Sequence, residues 1–230
     1  METSWSVPSP AELAALIDHT LLRPDAVAAD IEALCTEAVV CGFKAVCVNP
    51  WHLPLAVSCL RGTAALPITV IGFPLGASQT LIKAREAGLA VEQGAAEVDM
   101  VLNIGALKGA EPALVRQDVA EVVRACGPAP VKVILETCLL TDAEKEQACR
   151  LAVDAGAAFV KTSTGFAVGG ATEADVRLLR SVVGPQVGVK ASGGIRTLAD
   201  ALRLLAAGAD RLGASAGVQM LSEWTTGGGA

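Results

Sequence analysis

The sequence predicts an α/β fold, a closed (β/α)8 TIM barrel with a short extra helix before the first strand. Short Val- and Ile-rich runs alternate with Ala- and Leu-rich amphipathic segments along all 230 residues, without a linker. That alternation is typical of βα units around a parallel sheet, and eight units in a chain of this size fit a closed barrel. The main alternative is an open doubly wound sheet, which the absence of G-x-G-x-x-G after the first strand disfavours. We therefore expect residues 1–230 to form a single domain.

The elements can be assigned in order. Ser9-Pro10-Ala11-Glu12 is a capping box and predicts a helix that precedes the first strand. Ser/Thr-x-x-acid spacing marks three later helix starts, at Thr141, Thr172 and Thr197. Eight strands are predicted, over 17–20, 44–48, 67–72, 96–102, 131–136, 158–162, 187–191 and 210–213. Four Ala-rich helices each end at a glycine that precedes a strand: Gly42, Gly94, Gly156 and Gly208. The last residues, 225–230, are expected to form a flexible tail.

Charge and hydropathy exclude two classes of partner. The net charge is −6 and the isoelectric point is about 5.0, without a basic stripe, so a nucleic-acid surface is not expected. Hydrophobic residues make up 52% of the chain and the mean hydropathy is +0.50. However, the longest stretch without a charged residue, 62–82, is interrupted by prolines and glycines, so no membrane span is expected.

The first ten residues and the cysteines indicate a cytoplasmic protein. METSWSVPSP contains no basic residue and no apolar core, so it does not resemble a signal peptide. Seven cysteines are scattered without a C-x-x-C pair, which is typical of reduced thiols. The two histidines, His19 and His52, lack zinc-ligand spacing. We therefore expect no zinc site, and we also expect no other metal ion and no cofactor.

The alternation of side chains along three strands places charged residues in the barrel. In EVDMV, FVKTS and GVKAS, one face is apolar and should meet the helices, while the other carries Asp99, Lys161 and Lys190 respectively. These residues should therefore point inward near the C-terminal ends of their strands, where barrel enzymes have their active sites. A structural network of ion pairs is the alternative interpretation of the same residues.

Two lysines in one narrow lumen favour a specific chemistry. An ordinary lysine, with a pKa of about 10.4, is almost wholly protonated at neutral pH. A second ammonium group and partial burial lower that pKa, and the neutral amine can attack a carbonyl group to form an imine. The protonated imine withdraws electrons from the adjacent carbon–carbon bond. Lys161 or Lys190 could serve as this nucleophile, and Asp99 could transfer protons.

Glycine-rich loops after the last strands predict a phosphate site. Ser192–Arg196 contains Gly193 and Gly194, and Gly213–Gly217 contains Ser215 at the start of the final helix. Barrels often bind phosphate with the loops after strands seven and eight and a helix N-terminus. Gly165, after strand six, could close a third side. The alternative is that these glycines only form tight turns.

Four further residues lie near the expected mouth. Asp18 and Thr20 end the first strand and could add polar groups to the pocket, although a simple turn explains them as well. Cys47 should line the lumen as an unreactive thiol, because no acid or base adjoins it in the sequence. Lys132, near the start of strand five, should face the far end of the barrel and be structural.

Seven segments, in order along the chain, resemble the deoxyribose-phosphate aldolase family, and the resemblance runs over about residues 13–217. They are IDHTLLRP (17–24), AVCVNP (45–50), VIGFPLGA (70–77), EVDMVLNIGAL (97–107), KVILETCLLT (132–141), FVKTSTGF (159–166) and VKASGGIRT (189–197). The resemblance implies a metal-independent class I aldolase on a TIM barrel. It also implies reversible cleavage of 2-deoxy-D-ribose 5-phosphate to D-glyceraldehyde 3-phosphate and acetaldehyde. Family members are often dimers or tetramers, so a homo-oligomer is expected.

The resemblance assigns roles by motif. Lys161 in VKTSTG would form the Schiff base, Lys190 in VKASGG would lower its pKa, and Asp99 in VDMV would transfer protons through water. Gly193, Gly194 and Ser215 would match the phosphate loops, and Asp18, Thr20 and Cys47 would match positions that line the pocket.

The chain departs from the family pattern in two places. Many members have two hydroxyl residues after the glycine of the last strand, whereas Ala216 replaces the second one here. Some members end in a tyrosine that assists proton transfer, and this chain contains no tyrosine.

Two other functions remain open at the level of sequence. An acid–base isomerase of phosphosugars would keep the barrel and the phosphate loops, and it would tolerate Lys161→Arg. A phosphometabolite-binding protein would bind ligand without turnover.

Overall fold

A computed structural model describes residues 6–227, which form a closed barrel of eight parallel strands in sequence order. The predicted fold class is confirmed, and each predicted strand coincides with an observed one to within two residues at either end. The strands are β1 Ile17–Leu21, β2 Ala45–Val48, β3 Leu66–Ile71, β4 Glu97–Val101, β5 Val131–Ile134, β6 Phe159–Lys161, β7 Gly188–Ser192 and β8 Arg211–Ala214.

Helices connect the strands and surround the barrel. They are α1 Pro10–Ala14, α2 Ala28–Cys41, α3 Leu53–Cys59, α4 Thr80–Glu92, α5 Ile104–Lys108, α6 Pro112–Cys126, α7 Asp142–Asp154, α8 Glu173–Val183, α9 Leu198–Ala206 and α10 Gly217–Gly227. Short 3-10 turns cover Pro50–His52 and Thr137–Leu139. Because α10 extends to Gly227, the first half of the segment expected to be a tail is helical. Residues 228–230 lie outside the described residues. No helix in the described range is long and apolar enough to cross a membrane.

The helix boundaries follow from local sequence chemistry. The hydroxyl groups of Ser9, Thr141, Thr172 and Thr197 each accept a hydrogen bond from the backbone N–H three residues later. This satisfies one of the donors left unpaired at a helix start. At the other end of α2, Gly42 has a φ of 72° and adopts the left-handed conformation that glycine accommodates without a Cβ clash. The caps predicted from the sequence are therefore confirmed.

The strand side chains divide between two environments. On β4, Val98 and Met100 belong to the apolar layer between the sheet and the helices, whereas Asp99 points into the lumen. The same alternation on β6 and β7 directs Lys161 and Lys190 inward, where both contact Asp99. Inside the lumen, the side formed by β2 and β3 is apolar, whereas β4–β8 and β1 carry the charged groups. The apolar side contains Leu22, Ala45, Cys47, Ile68 and Val70.

Candidate active site

The Asp99 carboxylate is the centre of the charged lumen. One of its oxygens, Oδ2, lies 2.8 Å from the Nζ of Lys161 and 2.8 Å from the Nζ of Lys190. Its other oxygen, Oδ1, lies 2.8 Å from the Nζ of Lys132. Parallel pairing sets these residues side by side, because Asp99 is in register with Lys132, and Lys161 with Lys190. The three predicted catalytic residues therefore converge, although 62 and 91 positions separate Asp99 from the two lysines in the chain.

Burial and neighbouring charges give the three groups different acidities. Burial is the largest influence on the pKa of Lys161 and lowers it. Asp99 opposes that shift, and the ammonium group of Lys190 adds to it, so the pKa of Lys161 is lowered overall. Burial would also lower the pKa of Lys190, but Asp18 and Asp99 outweigh it and the pKa is raised. For Asp99, burial is outweighed by Lys132, Lys161 and Lys190, which hold its pKa well below the usual value. Lys161 is therefore the lysine that most readily becomes a neutral amine.

A second layer of ion pairs lies behind these residues. Asp18 Oδ2 is 2.5 Å from Lys190 Nζ, and Asp18 also accepts from the guanidinium of Arg211. Arg211 in turn pairs with Glu97 at 3.1 Å. Glu97 also lies 2.5 Å from Lys132 Nζ.

This network leaves a positive charge in excess. Within the described residues, the network contains four basic side chains, Lys132, Lys161, Lys190 and Arg211, and three carboxyl groups, Asp18, Glu97 and Asp99. Loss of one proton from Lys161 would balance the charges. The electrostatics of the whole cluster therefore favour the neutral form of this lysine.

Above the charged cluster lies a pocket of about 420 Å³ at the C-terminal mouth of the barrel. Of the three lysines that contact Asp99, only Lys161 lines it, and its side chain is 3% exposed. Lys190 is fully buried behind it. A Cβ at Gly213 would lie 3.1 Å from Lys190 Cε, so the glycine leaves room for that side chain in the lumen. A carbonyl compound in the pocket would thus meet one amine, with a lysine of raised pKa behind it.

The predicted phosphate loops form the wall of this pocket. Gly165, Gly193, Gly194 and Ser215 all line it. The β6 and β7 loops are joined where the Ala171 N–H donates to the Gly193 carbonyl at 3.0 Å. The structure thus brings together the four loop residues that the sequence singled out, in one cavity with Lys161.

The other predicted residues take different positions. Thr20 lines the pocket. Asp18, expected at the end of the first strand and in the pocket, is the second residue of β1, is fully buried, and is absent from the pocket wall. It contacts Lys190 instead, because the register between β1 and β8 places it beside Gly213.

Two further expectations concern Cys47 and Lys132. Cys47 lies in the apolar side of the lumen and does not line the pocket. Burial raises the pKa of its thiol to about 11, as expected for an unreactive group. The expectation that Lys132 faces away from the site is wrong, since its ammonium group bonds directly to Asp99.

Sequence reasoning missed several charged groups. Arg211 and Glu97 complete the second layer of ion pairs, and Arg23 and Arg196 line the pocket. Arg196 is the last residue of the predicted loop Ser192–Arg196, so its position could have identified it as a candidate ligand of the phosphate. Arg211 and Glu97 occupy lumen-facing positions of β8 and β4, but their pairing depends on barrel closure. No group of three or more His, Cys, Asp or Glu side chains in residues 6–227 is arranged to hold a metal ion.

A buried amine of lowered pKa under an open pocket, at the C-terminal mouth of a closed barrel, defines a class of enzymes equipped to form imines with carbonyl substrates. Comparison with known families agrees with this class. Residues 13–223 match the DeoC/LacD family aldolases, and the chain belongs to that family.

Relatives with high identity cover nearly the whole chain. The deoxyribose-phosphate aldolase of Rhodospirillum rubrum is 60% identical over 213 residues, which is 93% of this chain and 90% of the relative. That of Bacillus subtilis is 56% identical over 218 residues, with 94% and 98% covered. The structure of deoxyribose phosphate aldolase from Aeropyrum pernix, described as tetrameric, has a TM-score of 0.88 at 36% identity, with 95% and 93% of the two chains covered.

Proposed function

We propose that this chain is a class I aldolase that reversibly cleaves 2-deoxy-D-ribose 5-phosphate to D-glyceraldehyde 3-phosphate and acetaldehyde, in the breakdown of deoxyribose phosphate. The observation that carries the proposal is the position of Lys161, which joins the charged cluster to the pocket and has a lowered pKa. The relatives named above bear the name of this activity.

The reaction begins at the aldehyde carbon, C1, of the open-chain sugar. The neutral Nζ of Lys161 attacks C1 and water leaves, which forms a protonated imine. Loss of the proton from the C3 hydroxyl then drives its electrons into a C3=O double bond, and the C2–C3 bond breaks. The electron pair of the broken C2–C3 bond passes to the imine. The imine becomes an enamine, and D-glyceraldehyde 3-phosphate leaves. Protonation at C2 and hydrolysis release acetaldehyde and restore Lys161.

Asp99 and Lys190 would manage the protons. The Oδ2 atom of Asp99 is hydrogen-bonded to both Lys161 and Lys190, so a proton can pass between the lysines across it. A water molecule would connect this pair to the C3 hydroxyl, because both groups lie behind Lys161. Lys190 is charged in the resting enzyme, where it keeps Lys161 partly neutral, and it would regain its proton after each transfer.

The phosphate group would bind in the loops at the other side of the pocket. Gly165, Gly193, Gly194 and Ser215 allow backbone N–H groups and one hydroxyl to approach its oxygens. Ala216 follows Ser215 but has no hydroxyl and does not line the pocket, so its side chain would add no donor to the phosphate. Holding the phosphate fixes the distance between C1 and Lys161, which supplies part of the rate.

Two properties of the whole protein complete the proposal. We infer a cytoplasmic homo-oligomer, either a dimer or a tetramer, and the tetrameric Aeropyrum pernix relative supports an assembly of several subunits. Light scattering coupled to size-exclusion chromatography would establish the number of subunits. A mass corresponding to one chain would contradict the assembly.

One experiment tests the chemistry. Incubation with acetaldehyde and sodium borohydride should trap a reduced imine on Lys161, identified by peptide mass spectrometry, and retro-aldol turnover of deoxyribose 5-phosphate should accompany it. EDTA should leave turnover unchanged, because no step uses a metal. Turnover by Lys161→Arg would favour an acid–base isomerase or another mechanism, since guanidinium does not form the imine. An adduct on another lysine would contradict the assignment.

A further inference from the structure

We propose that Glu136 is a positioning residue that fixes the β6 loop, Thr164–Phe166, as the wall of the pocket that receives the substrate phosphate. This inference rests on the proposed function and deepens it, because it concerns the phosphate end of the same substrate. Glu136 itself does not line the pocket.

The surroundings of Glu136 are unusual for a carboxyl group. It follows the end of β5, it is 3% exposed, and it forms no ion pair with any basic side chain of residues 6–227. A carboxyl group is costly to bury unless hydrogen bonds or opposite charges compensate. The contacts that hold Glu136 in place must therefore be its hydrogen bonds.

The backbone of Glu136 is also unusual. Its φ is 56° and its ψ is 62°, the left-handed conformation, which is uncommon for a residue with a Cβ. Strained residues of this kind persist where the surrounding structure holds them and are concentrated at functional sites. Glycine would adopt this conformation without strain. The left-handed backbone at this position favours glycine, so the presence of a glutamate indicates that its side chain has a role here.

Among residues 6–227, that side chain bonds to a single residue, Thr164. The Thr164 N–H donates to the two carboxyl oxygens at 3.2 and 3.4 Å, and the Thr164 hydroxyl donates to Oε2. The same hydroxyl oxygen accepts from the Phe166 N–H at 3.0 Å. Glu136 therefore fixes Thr164 directly and Phe166 through the Thr164 hydroxyl.

The fixed loop is the part of the pocket wall contributed by β6. Thr164, Gly165 and Phe166 all line the pocket, three to five residues after Lys161. Lys161 itself is held separately, by Asp99. Loosening the loop should therefore weaken binding of the phosphate while leaving imine formation intact.

Glu136→Gly and Thr164→Val test this directly. The first removes the carboxyl group at a position where glycine suits the backbone, so a failure to fold is not the expected outcome. The second removes the hydroxyl and preserves the shape of the side chain. For each variant, KM for deoxyribose 5-phosphate should rise about tenfold, as expected for loss of a buried hydrogen-bond network. KM for unphosphorylated 2-deoxyribose should change by less than about twofold, because that substrate makes no use of the phosphate wall.

Conservative variants and a matched control sharpen the test. Glu136→Gln and Thr164→Ser keep an acceptor and a hydroxyl, respectively, and should recover most of the lost affinity. KM of the double variant Glu136→Gly/Thr164→Val for deoxyribose 5-phosphate should exceed the higher of the two single-variant KM values by no more than about twofold. Both substitutions disrupt the same contact, so their effects should not add. Thr172→Val removes a hydroxyl that donates to Asp175 at 2.9 Å in the same β6–α8 connection but outside the pocket of Lys161. It should lower thermal stability without changing KM.

The outcomes separate this inference from the proposed function. If the wild-type protein traps acetaldehyde on Lys161 but the Glu136 and Thr164 variants keep the wild-type KM, the positioning role is overturned and the aldolase stands. Equal loss of activity toward phosphorylated and unphosphorylated substrate also overturns it. If the wild-type protein traps no imine, the proposed function fails first.

Discussion

Two buried lysine–aspartate pairs in this molecule have similar geometry and opposite consequences. Lys83 on α4 lies 2.7 Å from Asp118 on α6, and Lys161 lies 2.8 Å from Asp99 in the lumen. Both pairs are almost completely hidden from solvent. Burial and a close opposite charge are therefore not sufficient to make a lysine reactive.

The difference lies in how many partners each carboxylate has. Asp118 has one lysine, and its other oxygen accepts from the Thr80 hydroxyl at 2.8 Å. Lys83 also donates to the Val101 carbonyl at 3.0 Å. Each charge of this pair is matched once. Asp99 is instead shared by three lysines, so the lumen holds more positive charge than its carboxylates balance. The first arrangement stabilises the fold, and the second favours a neutral amine.

Lys161→Met and Lys83→Met should distinguish the roles of the two pairs most clearly. Lys161→Met should lower kcat by roughly 10⁴- to 10⁶-fold, as for loss of a catalytic nucleophile. It should leave stability unchanged or raised, because Asp99 keeps two lysines and the excess charge disappears. Steady-state kinetics and thermal unfolding measure the two effects. A large loss of stability in Lys161→Met would mean that this lysine is structural.

Lys83→Met should give the reverse result. It leaves Asp118 buried without a cation, which should destabilise the protein by about 3–5 kcal/mol. The folded fraction should retain its kcat, because the pair lies outside the pocket. Replacing both partners, as Lys83→Met/Asp118→Leu, should recover much of that stability, since well-packed apolar residues can replace a buried pair. Chemical denaturation measures each step. A double variant as unstable as the single one would show that the pair itself is required.

Most of the fold was predictable because it depends on local periodicity. Val98 and Met100 alternate with Asp99 on β4, and that pattern alone was enough to direct Asp99 inward. The helix caps at Thr141 and Thr197 were predictable for the same reason, since their partners lie three residues away. The convergence of Asp99, Lys161 and Lys190 then followed from closing the barrel.

The rest depended on register between strands, which the sequence does not encode locally. Lys132 is the second residue of β5 and was expected to face the far end of the barrel. Strand pairing instead places it beside Asp99. Asp18 was expected to line the pocket and instead is buried beside Gly213, where it contacts Lys190. The contact between Glu136 and Thr164 joins loops 28 residues apart, and neither segment alone indicates it. The contact partners on neighbouring strands and loops were therefore harder to predict than the direction of each side chain.

Lys190→Met should change the pH dependence of the reaction at Lys161. The ammonium group of Lys190 lowers the pKa of Lys161, so its removal should raise that pKa and reduce the neutral fraction at neutral pH. The acidic limb of the kcat/KM profile should therefore move to higher pH, and kcat should fall about 10²-fold with the loss of proton transfer. Lys132→Met is the control, because Lys132 contacts Asp99 through the opposite oxygen, and it should move the limb less. An acidic limb that stays in place in Lys190→Met would remove Lys190 from the explanation.

Cys47 should show the smallest effect, because it is buried in the same lumen without a cation bonded to it. Burial dominates and raises the pKa of its thiol to about 11, so the thiol remains protonated and unreactive at neutral pH. Iodoacetamide at about pH 7.5 should label the exposed Cys138 well before Cys47, as peptide mass spectrometry can measure. Cys47→Ala should keep kcat within about twofold, because no step of the reaction uses the thiol. Labelling of Cys47 as fast as Cys138 would show that the charged cluster activates neighbouring groups in general, and the reactivity of Lys161 could then not be attributed to the shared carboxylate alone.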